Sequence, residues 1–573
     1  MTDTQKTVFF RRALSGRMDR RQVIENGLRL GIATPLLSAL AGMPAVASAS
    51  PATRPAAART NGQATDSGTL TILFEDGTND IDPHSTYTTL GSMICLNAYE
   101  MLIQYKGSST FEYAPMLADS WDVSEDESSY TFHLSPNIKF HDDTICNAQA
   151  VKESFTRFVK LELGPYLVIT RFVDDPDTQI VAVDDVTVRF DLGQPQPLFL
   201  AAMASSFGPY IVSPQAWKDN GTDEDPWAHE WLSFNAVGTG PYRLIENTLN
   251  EGVTMSKFDD YHRGWEGNHF TDVFIRNVPE SATRRQLMEQ GEGDVSTYNL
   301  LASDVAELQE DPSLQVLIYD STRVNWAILN VPKLETVEAR QGLCYAFPYQ
   351  ENIDSINKGL MKRSGPIPST MRGYDPDAFQ FPTDLDKAKE LLAAGGWEEG
   401  SSFEYLVSSN YADDKTTAQL YQANLQSIGY DLNITEVDSA TYDDMIYGDM
   451  GADERPDIMG GWAWWPDYND PWNQLAPNFL KSAQNGGGSN GGGYENATVE
   501  DLMSQAEHFT DEDQLDELMK QIQQILIKDD PAAIFYGETK YYTILKAGVG
   551  GFVPNPLYLG TCLFYDMYRE EGA

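Results

Sequence analysis

Helical and extended patterns alternate along the whole chain, and this alternation restricts the possible folds more than any other feature. Residues 70–74 and 130–134 place apolar side chains at every second position, as a half-buried strand requires. Residues 151–158, 421–428 and 515–526 instead place them at the spacing of one helical face. Strand and helix patterns that interleave in this way predict an α/β protein.

Local signals predict where individual elements begin and end. Thr383 and Asp386 are spaced as a capping box, so we expect a helix to begin there and to end at Gly395 and Gly396. Residues 485–493 read NGGGSNGGG, and a segment so rich in glycine is predicted to be a mobile loop.

Length and charge set further limits. The chain has 573 residues, which exceeds what one hydrophobic core supports, so we expect two or more lobes. The 85 acidic and 40 basic side chains give a formal net charge of −45. A surface of this sign repels phosphate backbones and anionic lipids, which argues against nucleic acid as a partner. We interpret the charge as an adaptation for solubility.

The first 49 residues have the features of a secretory signal peptide. The pair Arg20-Arg21 precedes an apolar run over residues 28–41, which is followed by the small residues Ala47-Ser48-Ala49. The arginine pair resembles the twin-arginine export signal. We predict cleavage near Ala49, a flexible linker over residues 50–68, and a mature protein that is soluble in the periplasm or outside the cell. No cysteine follows the cleavage point, so a lipid anchor is not expected there.

No motif of a known catalytic or cofactor-binding class occurs in the sequence. The nucleophile elbow, zinc-protease, phosphate-loop, dinucleotide-binding and calcium-loop patterns are all absent. The cysteines do not form a CxxC pair, and we interpret them as separate buried thiols, with any disulfide pairing left open: Cys95, Cys146, Cys344 and Cys562. These absences favour a protein that is not an enzyme without excluding one, and we predict no catalytic residues, no metal and no cofactor.

Several stretches, in order, resemble one family of transport proteins. They are LTILFEDGTNDIDPH at 70–84, YEMLIQY at 99–105, PMLADSW at 115–121, YTFHLSPNIKFHDD at 130–143, VGTGPYRL at 237–244, EARQGLCYAF at 338–347 and WWPDYNDP at 464–471. Together they are similar to the bacterial extracellular solute-binding proteins of family 5, the oligopeptide, dipeptide and nickel type of ABC transporter substrate-binding protein. The resemblance covers nearly all of the mature chain.

The resemblance implies a fold. It predicts the two-lobed periplasmic-binding-protein fold of class II, cluster C type, with an additional inserted subdomain. Hinge segments are expected near residues 319–331 and 534–538. The expected division is lobe I at 69–98, 207–319 and 536–573, the inserted subdomain at 99–206, and lobe II at 320–535.

The resemblance also implies a function. The two lobes would close over a small solute, with an oligopeptide favoured, and would deliver it to an ABC permease and, through it, to ATPase subunits in the membrane. The protein is expected to act as a monomer. Other members of the family bind oligosaccharides, opine-like compounds or metal complexes, so the ligand and any preferred peptide length stay open. A secreted hydrolase on a two-lobed scaffold and a receptor without a transporter are alternatives of other classes.

The same resemblance indicates ligand-binding residues. Asp467 matches the family aspartate that pairs with a terminal ammonium, and the neighbouring Trp464 and Trp465 could stack on a ligand or accept a cation. Ala463 stands where the family usually has glycine, which leaves the ligand class open. The remaining predicted site residues are Tyr468, Trp326, Tyr442 and Tyr536.

Overall fold

A computed structural model of the chain describes residues 68–570, except for residues 76, 250, 298–299, 410–411, 449, 485–487, 508, 510 and 559. The predicted signal peptide (residues 1–49) and residues 50–67 of the predicted linker lie outside the described residues.

Strands and helices interleave along the chain, which confirms the predicted α/β class. The strands are β1 Thr69–Phe74, β2 Ile103–Tyr105, β3 Tyr113–Pro115, β4 Ala118–Val123, β5 Ser129–Leu134, β6 Ile180–Ala182, β7 Thr187–Asp191, β8 Tyr242–Thr248, β9 Gly252–Lys257, β10 Asp272–Asn277, β11 Val295–Thr297, β12 Leu314–Tyr319, β13 Val324–Leu329, β14 Met361–Lys362, β15 Ser402–Ser408, β16 Asp431–Val437, β17 Ile458–Trp464, β18 Ala533–Thr539, β19 Tyr541–Lys546, β20 Val549–Gly550 and β21 Tyr568–Arg569.

The α-helices are α1 Thr89–Ala98, α2 Ala148–Leu161, α3 Leu167–Thr170, α4 Pro176–Gln179, α5 Phe199–Met203, α6 Pro214–Asn220, α7 His229–Leu232, α8 Ser281–Glu289, α9 Ala302–Leu308, α10 Val337–Ala346, α11 Tyr349–Glu351, α12 Leu385–Ala394, α13 Ala412–Ser427, α14 Ser439–Tyr447, α15 Pro471–Phe479, α16 Ala497–Ala506 and α17 Glu512–Gln524.

A seven-stranded sheet forms the centre of one lobe, with the order β12-β19-β11-β1-β10-β9-β8. β1 lies in the middle and pairs in parallel with β10 and β11, whereas the other pairs are antiparallel. Leu73 of β1 packs with Met288 of α8, Val305 of α9 and Ile544 of β19 in a buried cluster. The sheet therefore joins segments from both ends of the chain.

A six-stranded sheet forms the centre of the other lobe, with the order β14-β18-β13-β17-β15-β16. β15 pairs in parallel with β16 and β17, and β13 pairs antiparallel with β17 and β18. All six residues of β13 are buried. A strand that is buried along its whole length lies in the interior of the lobe.

A four-stranded sheet, β4-β5-β7-β6, lies between residues 118 and 191. α2 packs on β6 and β7 of this sheet, and its buried face carries Val151, Phe155 and Phe158, as the helical spacing predicted. Asn147 caps the helix by accepting a hydrogen bond from the Ala150 N–H at 2.9 Å. Residues 118–191 therefore have a sheet and a helix of their own.

The chain passes between the two large sheets at two neighbouring points. Residues 320–323 connect β12 to β13, and Lys540 alone separates β18 from β19. The first crossing falls within the predicted hinge at 319–331. The second lies just after the predicted hinge segment 534–538. That segment belongs to β18, as do residues 535 and 536, between which the predicted lobe boundary lies.

Two local predictions are corrected by the structure. α12 is capped by Asp384, whose side chain accepts from the Lys387 N–H at 2.9 Å, and the Thr383 hydroxyl donates instead to the Phe347 carbonyl at 2.6 Å.

In the glycine-rich segment, residues 488–493 are packed. The Ser489 N–H donates to the Pro477 carbonyl at 2.7 Å, and a Cβ on Gly492 would lie 2.4 Å from the Leu329 carbonyl oxygen. Glycine at position 492 therefore allows the two backbone segments to pack closely.

A buried ion pair joins α2 to the segment that follows β1. Arg157 of α2 and Asp82, which follows β1, are both fully buried, and Arg157 Nη1 donates to Asp82 Oδ1 at 2.9 Å. Arg157 Nε donates to the Trp227 carbonyl at 3.0 Å, and His229 Nδ1 lies 3.0 Å from Asp82 Oδ2. Burial alone would raise the pKa of Asp82, but Arg157 and His229 hold this pKa below its usual range. The carboxylate is therefore charged and fully bonded.

Two further observations concern helix length and the cysteine thiols. In the part of the chain that the structure describes, no helix is both long enough and apolar enough to cross a membrane. All four cysteines are buried free thiols, as predicted.

We predict that Arg157→Met lowers the free energy of unfolding by about 3–5 kcal/mol, because it leaves Asp82 buried without its counter-charge. Urea denaturation at pH 7 measures this change. The matched control is Arg189→Met in β7, whose ion pair with Asp191 is 41% exposed on both sides. The control should have little effect. Equal losses in the two variants would contradict a structural role for the buried pair.

Candidate functional site

Two cavities lie along the cleft between the seven-stranded and six-stranded sheets. The larger, of about 280 Å³, is lined by the ends of β15 and β17 and by α14, and from the opposite side by Tyr87 and Phe207. The smaller, of about 130 Å³, lies beside the two chain crossings and is lined by the first turns of α13, by β18 and by Lys540. Arg323 lines both cavities and therefore marks their junction.

Aromatic side chains form most of the wall of the larger cavity. Tyr87 packs on Phe207 with ring centroids 4.7 Å apart, and Tyr447 meets Trp462 at 5.5 Å. Walls of this kind bind the apolar faces of a small molecule and attract cations to the ring faces. The aromatic residues are Tyr87, Phe207, Tyr442, Tyr447, Trp462, Trp464 and Trp465.

A glycine pair lets β17 run close to its neighbours before the tryptophans begin. A Cβ on Gly460 would lie 1.9 Å from Tyr405 Oη, and one on Gly461 would lie 2.4 Å from Asp414 Oδ2. Gly461 also has a φ of +80°, in the left-handed region that favours glycine. The pair therefore holds β17 against β15 and α13 while the next residues line the cavity.

Asp467 follows β17 in a loop that is held from both sides of the cleft. Its N–H donates to Asn473 Oδ1 of α15 at 2.8 Å, and its carbonyl oxygen accepts from Ser205 Oγ at 2.8 Å. Asp470 caps α15 by accepting from the Trp472 N–H at 2.9 Å. These bonds fix the backbone of Asp467.

The carboxylate of Asp467 retains acceptor capacity. Tyr87 donates its hydroxyl to Oδ1, and Asn473 Nδ2 donates to Oδ2 at 3.2 Å. A carboxylate has about four lone-pair sites, so about two remain for other donors. Burial raises the pKa of Asp467, and the two hydrogen bonds oppose this rise. A cationic donor in the cavity would favour the charged form further.

Arg171, directly after α3, bonds to the same loop. Its Nη1 donates to Asp470 Oδ2 at 2.9 Å and to Tyr468 Oη at 3.1 Å, and its guanidinium lies 4.2 Å from the ring centroid of Trp472. Burial raises the pKa of Asp470, and Arg171 opposes this rise. The buried pair therefore joins residues 467–473 to the end of α3.

At the junction of the cavities, Arg323 lies between an aromatic ring and a carboxylate. Its ζ carbon is 5.6 Å from the ring centroid of Trp465. Asp414, in the first turn of α13, interacts electrostatically with Arg323. Burial raises the pKa of Asp414 to about 6, although Arg323 opposes this rise. Burial therefore favours the protonated form of Asp414, and the charge of Arg323 favours the carboxylate.

Five of the seven predicted ligand-binding residues lie along the cleft. Trp464, Trp465 and Tyr442 line the larger cavity. Asp467 lies at its edge, hydrogen-bonded to the lining residue Tyr87. Tyr536 lines the smaller cavity instead.

Two of the predicted residues lie away from the cavities. Trp326 is 1% exposed and packs on Phe479 and Phe535, with ring centroids 5.9 and 5.8 Å away, because its strand is buried on both faces. Tyr468 is 1% exposed and faces Arg171 of the inserted segment. Both side chains therefore serve packing in this structure.

Sequence reasoning missed Tyr87, Phe207 and Arg323, which come from segments far apart in the chain. Arg323 carries a weak signal, since it is a basic residue within the predicted hinge. Tyr87 and Phe207 carry none. Among the described residues, no group of three or more histidine, cysteine, aspartate or glutamate side chains is arranged to hold a metal ion.

Comparison with known proteins identifies similar chains. The model of the bacterial extracellular solute-binding proteins, family 5 (middle region), matches residues 112–486. The probable D,D-dipeptide-binding periplasmic protein DdpA of Escherichia coli strain K12 is 30% identical over 489 residues, which cover 83% of this chain and 90% of that protein. The dipeptide-binding protein of the same strain is 30% identical over 488 residues, covering 80% of this chain and 87% of that protein.

Solved structures extend the similarity to the fold. The ABC transporter-associated periplasmic binding protein DppA from Helicobacter pylori, in complex with the peptide STSA, superposes with a TM-score of 0.73 at 25% identity. The match covers 88% of this chain and 98% of that one. The two-lobed architecture is therefore shared.

We predict that Gly461→Ala destabilises the protein by about 1–3 kcal/mol, because a left-handed backbone costs an alanine roughly 1–2 kcal/mol and the new Cβ would overlap Asp414. The matched control is Gly451→Ala, where φ is −65° and nothing lies within 4 Å of the added Cβ. Urea denaturation of both variants measures the difference. A loss no greater than in the control would contradict the close packing of β17 on α13.

Proposed function

We propose that this chain, which belongs to the bacterial extracellular solute-binding proteins of family 5, captures a short peptide between its two lobes and delivers it to the permease of an ABC importer. The observation that carries the proposal is the Asp467 carboxylate at the edge of an aromatic cavity in the cleft. The similar proteins named as dipeptide-binding, and the relative bound to the peptide STSA, support a peptide as the ligand.

The chemistry of Asp467 suits a peptide amino terminus. An ammonium group has three donors and no acceptor, and the carboxylate has about two acceptor sites left. The cleft is partly desolvated, which strengthens a charge-assisted hydrogen bond relative to water. The ring faces around the carboxylate would add a favourable interaction with the same cation.

The volume of the larger cavity favours a short ligand. About 280 Å³ lies at the lower end of the range for small-molecule pockets. The aromatic wall would then contact the side chains and the apolar edges of the peptide. A dipeptide or tripeptide therefore fits the proposal better than a long oligopeptide.

The fold supports a mechanism of capture by lobe movement. The crossings at 320–323 and Lys540 are the connections about which the lobes would close, with the segment 99–206 carried by the first lobe. We propose that the closed monomer docks on the permease, which works with ATPase subunits in the membrane. Solubility in the periplasm or outside the cell after cleavage near Ala49 is part of the same proposal.

The aromatic wall also favours a second candidate, an oligosaccharide, because sugar faces stack on tryptophan and tyrosine rings. A sugar would not need the charge of Asp467, whereas a peptide would. An opine-like ligand would use both the rings and the charges. A secreted hydrolase would convert its ligand, whereas a binding protein returns it unchanged.

We predict that a pool of dipeptides raises the thermal midpoint of the mature protein (residues 50–573), whereas the same pool with acetylated amino termini does not. Asp467→Asn should weaken the tightest dipeptide about 100-fold, or about 2.8 kcal/mol, since it removes the counter-charge of the ammonium. Isothermal titration of that dipeptide measures the change.

The control is Asp443→Asn, which removes a negative charge from the wall of the same cavity and should cost much less affinity. Binding of oligosaccharides alone would remove the peptide assignment. Mass spectrometry of the recovered peptide tests the enzyme alternative, and a hydrolysed product would contradict the transport role.

We predict that replacing Arg20 and Arg21 with lysine retains the protein in the cytoplasm of a host that has twin-arginine export, because that route reads the arginine pair. Cell fractionation measures the retention of the variant. The mass of the exported wild-type protein, which is expected to begin near Ser50, measures the cleavage. Normal export of the variant would contradict the twin-arginine route, and a precursor that is never cleaved would contradict the signal peptide.

A further inference from the structure

The cleft carries more acidic than basic side chains. Among the described residues, the charged groups that line the two cavities or lie at their edge are four carboxylates, Asp413, Asp414, Asp443 and Asp467, and two basic groups, Arg323 and Lys540. A cleft whose lining has an excess of one charge attracts ligands of the opposite charge. The excess of carboxylates therefore favours a ligand with a net positive charge.

Two of these carboxylates, Asp413 and Asp414, lie side by side in the first turn of α13 and line the smaller cavity. We call them the acidic pair. Neither carboxylate accepts a hydrogen bond from any residue in the part of the chain that the structure describes. Arg323 interacts with Asp414, and Lys358 with Asp413, only through the electric field of their charges.

The acidic pair differs in this respect from other enclosed carboxylates of the protein. Asp82 accepts from Arg157 Nη1 at 2.9 Å, and Asp470 accepts from Arg171 Nη1 at 2.9 Å. Enclosed carboxylates in proteins are usually paired with a cation or fully hydrogen-bonded, and an exception calls for an explanation. A ligand that brings its own cation provides one.

Asp414 is closely surrounded even though it has no bonded partner. A Cβ on Gly461 of β17 would lie 2.4 Å from Asp414 Oδ2, and the buried side chains of Tyr405 and Tyr536 lie within electrostatic reach of the same carboxylate. Burial raises the pKa of both members of the acidic pair, and each charge opposes the other at Asp414. A cation placed between them would favour both charged forms.

The size and the walls of the smaller cavity suit a side chain. Its volume of about 130 Å³ is below that of a pocket for a whole small molecule, so it would hold part of a ligand. Leu360, Met361 and Tyr536 line it with apolar surface, on which the methylene stem of a basic side chain would pack while its charged end reaches the acidic pair. Arg323 lines both cavities, so a ligand in the larger cavity has the smaller one beside it.

We propose that Asp413 and Asp414 form a subsite for a cationic side chain, and that the ligand is a short peptide that contains lysine, arginine or ornithine. This inference rests on the proposed function, and it narrows the peptide to a class with two positive charges. The terminal ammonium would bind Asp467 in the larger cavity, and the basic side chain would extend past Arg323 into the smaller one.

The test compares dipeptides that differ in one charge. The probes are alanyl-lysine and lysyl-alanine, and each has a matched peptide in which norleucine replaces lysine, so that the apolar stem stays and the ammonium is lost. Isothermal titration of wild-type protein should show that the better lysine peptide binds about 10- to 150-fold more tightly than its norleucine match, the range for a hydrogen bond to a charged group.

The double variant Asp413→Asn with Asp414→Asn should bind lysine and norleucine peptides with equal affinity, while it still prefers a free amino terminus to an acetylated one. Its thermal midpoint without ligand should equal or exceed that of the wild type, because the substitutions remove two carboxylates that have no bonded partner. The matched control is Asp444→Asn on α14, an exposed residue that lines neither cavity and should leave the lysine preference intact.

The outcomes separate the two proposals. If wild-type protein binds lysine and norleucine peptides equally well, peptide binding stands and the cationic subsite is wrong. A lysine preference that persists in the folded double variant would place the cation elsewhere, and a lowered thermal midpoint of this variant would give the acidic pair a structural role instead. If wild-type protein binds no peptide, the proposed function fails and the subsite falls with it.

Discussion

The two chain crossings, at residues 320–323 and at Lys540, are the constraint on which the site depends. Thr539 donates its N–H to the Arg323 carbonyl at 3.0 Å and its hydroxyl to Asn325, so the end of β18 is bonded to the start of β13. Both connections between the large sheets run side by side, so they close the cleft at one end, which we call its inner end. The smaller cavity and Arg323 lie there, and the larger cavity extends outward from them.

The outer end of the cleft is organised by residues 467–473, which belong to the second lobe and are bonded to the first. Arg171 and Asp470 form a buried ion pair across the cleft, and Tyr87 and Ser205 bond to Asp467. Burying an ion pair costs desolvation energy, which good geometry and additional hydrogen bonds offset. The ion pair and hydrogen bonds that join the two sides of the cleft therefore also hold the Asp467 carboxylate, which we propose to bind the ligand.

Local patterns predicted the fold class, and the resemblance to family 5 indicated residues 464–468, of which Trp464 and Trp465 line the larger cavity. Residues 460–472 contain a glycine pair, tryptophans and acidic residues. β17 and the loop after it place several of these residues in the wall of the larger cavity. Tyr87 and Arg323 reach the cavity only through tertiary packing, which no local pattern shows. Trp326 lies in a strand that is buried on both faces, and an aromatic residue near a predicted hinge has the same local pattern there as in a cleft.

The most direct test of the account is a crystal structure of the mature protein with the tightest dipeptide bound. We predict the peptide in the larger cavity, with its ammonium nitrogen within about 3.2 Å of an Asp467 carboxylate oxygen and the rings of Trp464 and Trp465 beside it. A ligand that lies outside the cleft, or that occupies the cavity without approaching Asp467, would contradict the central claim.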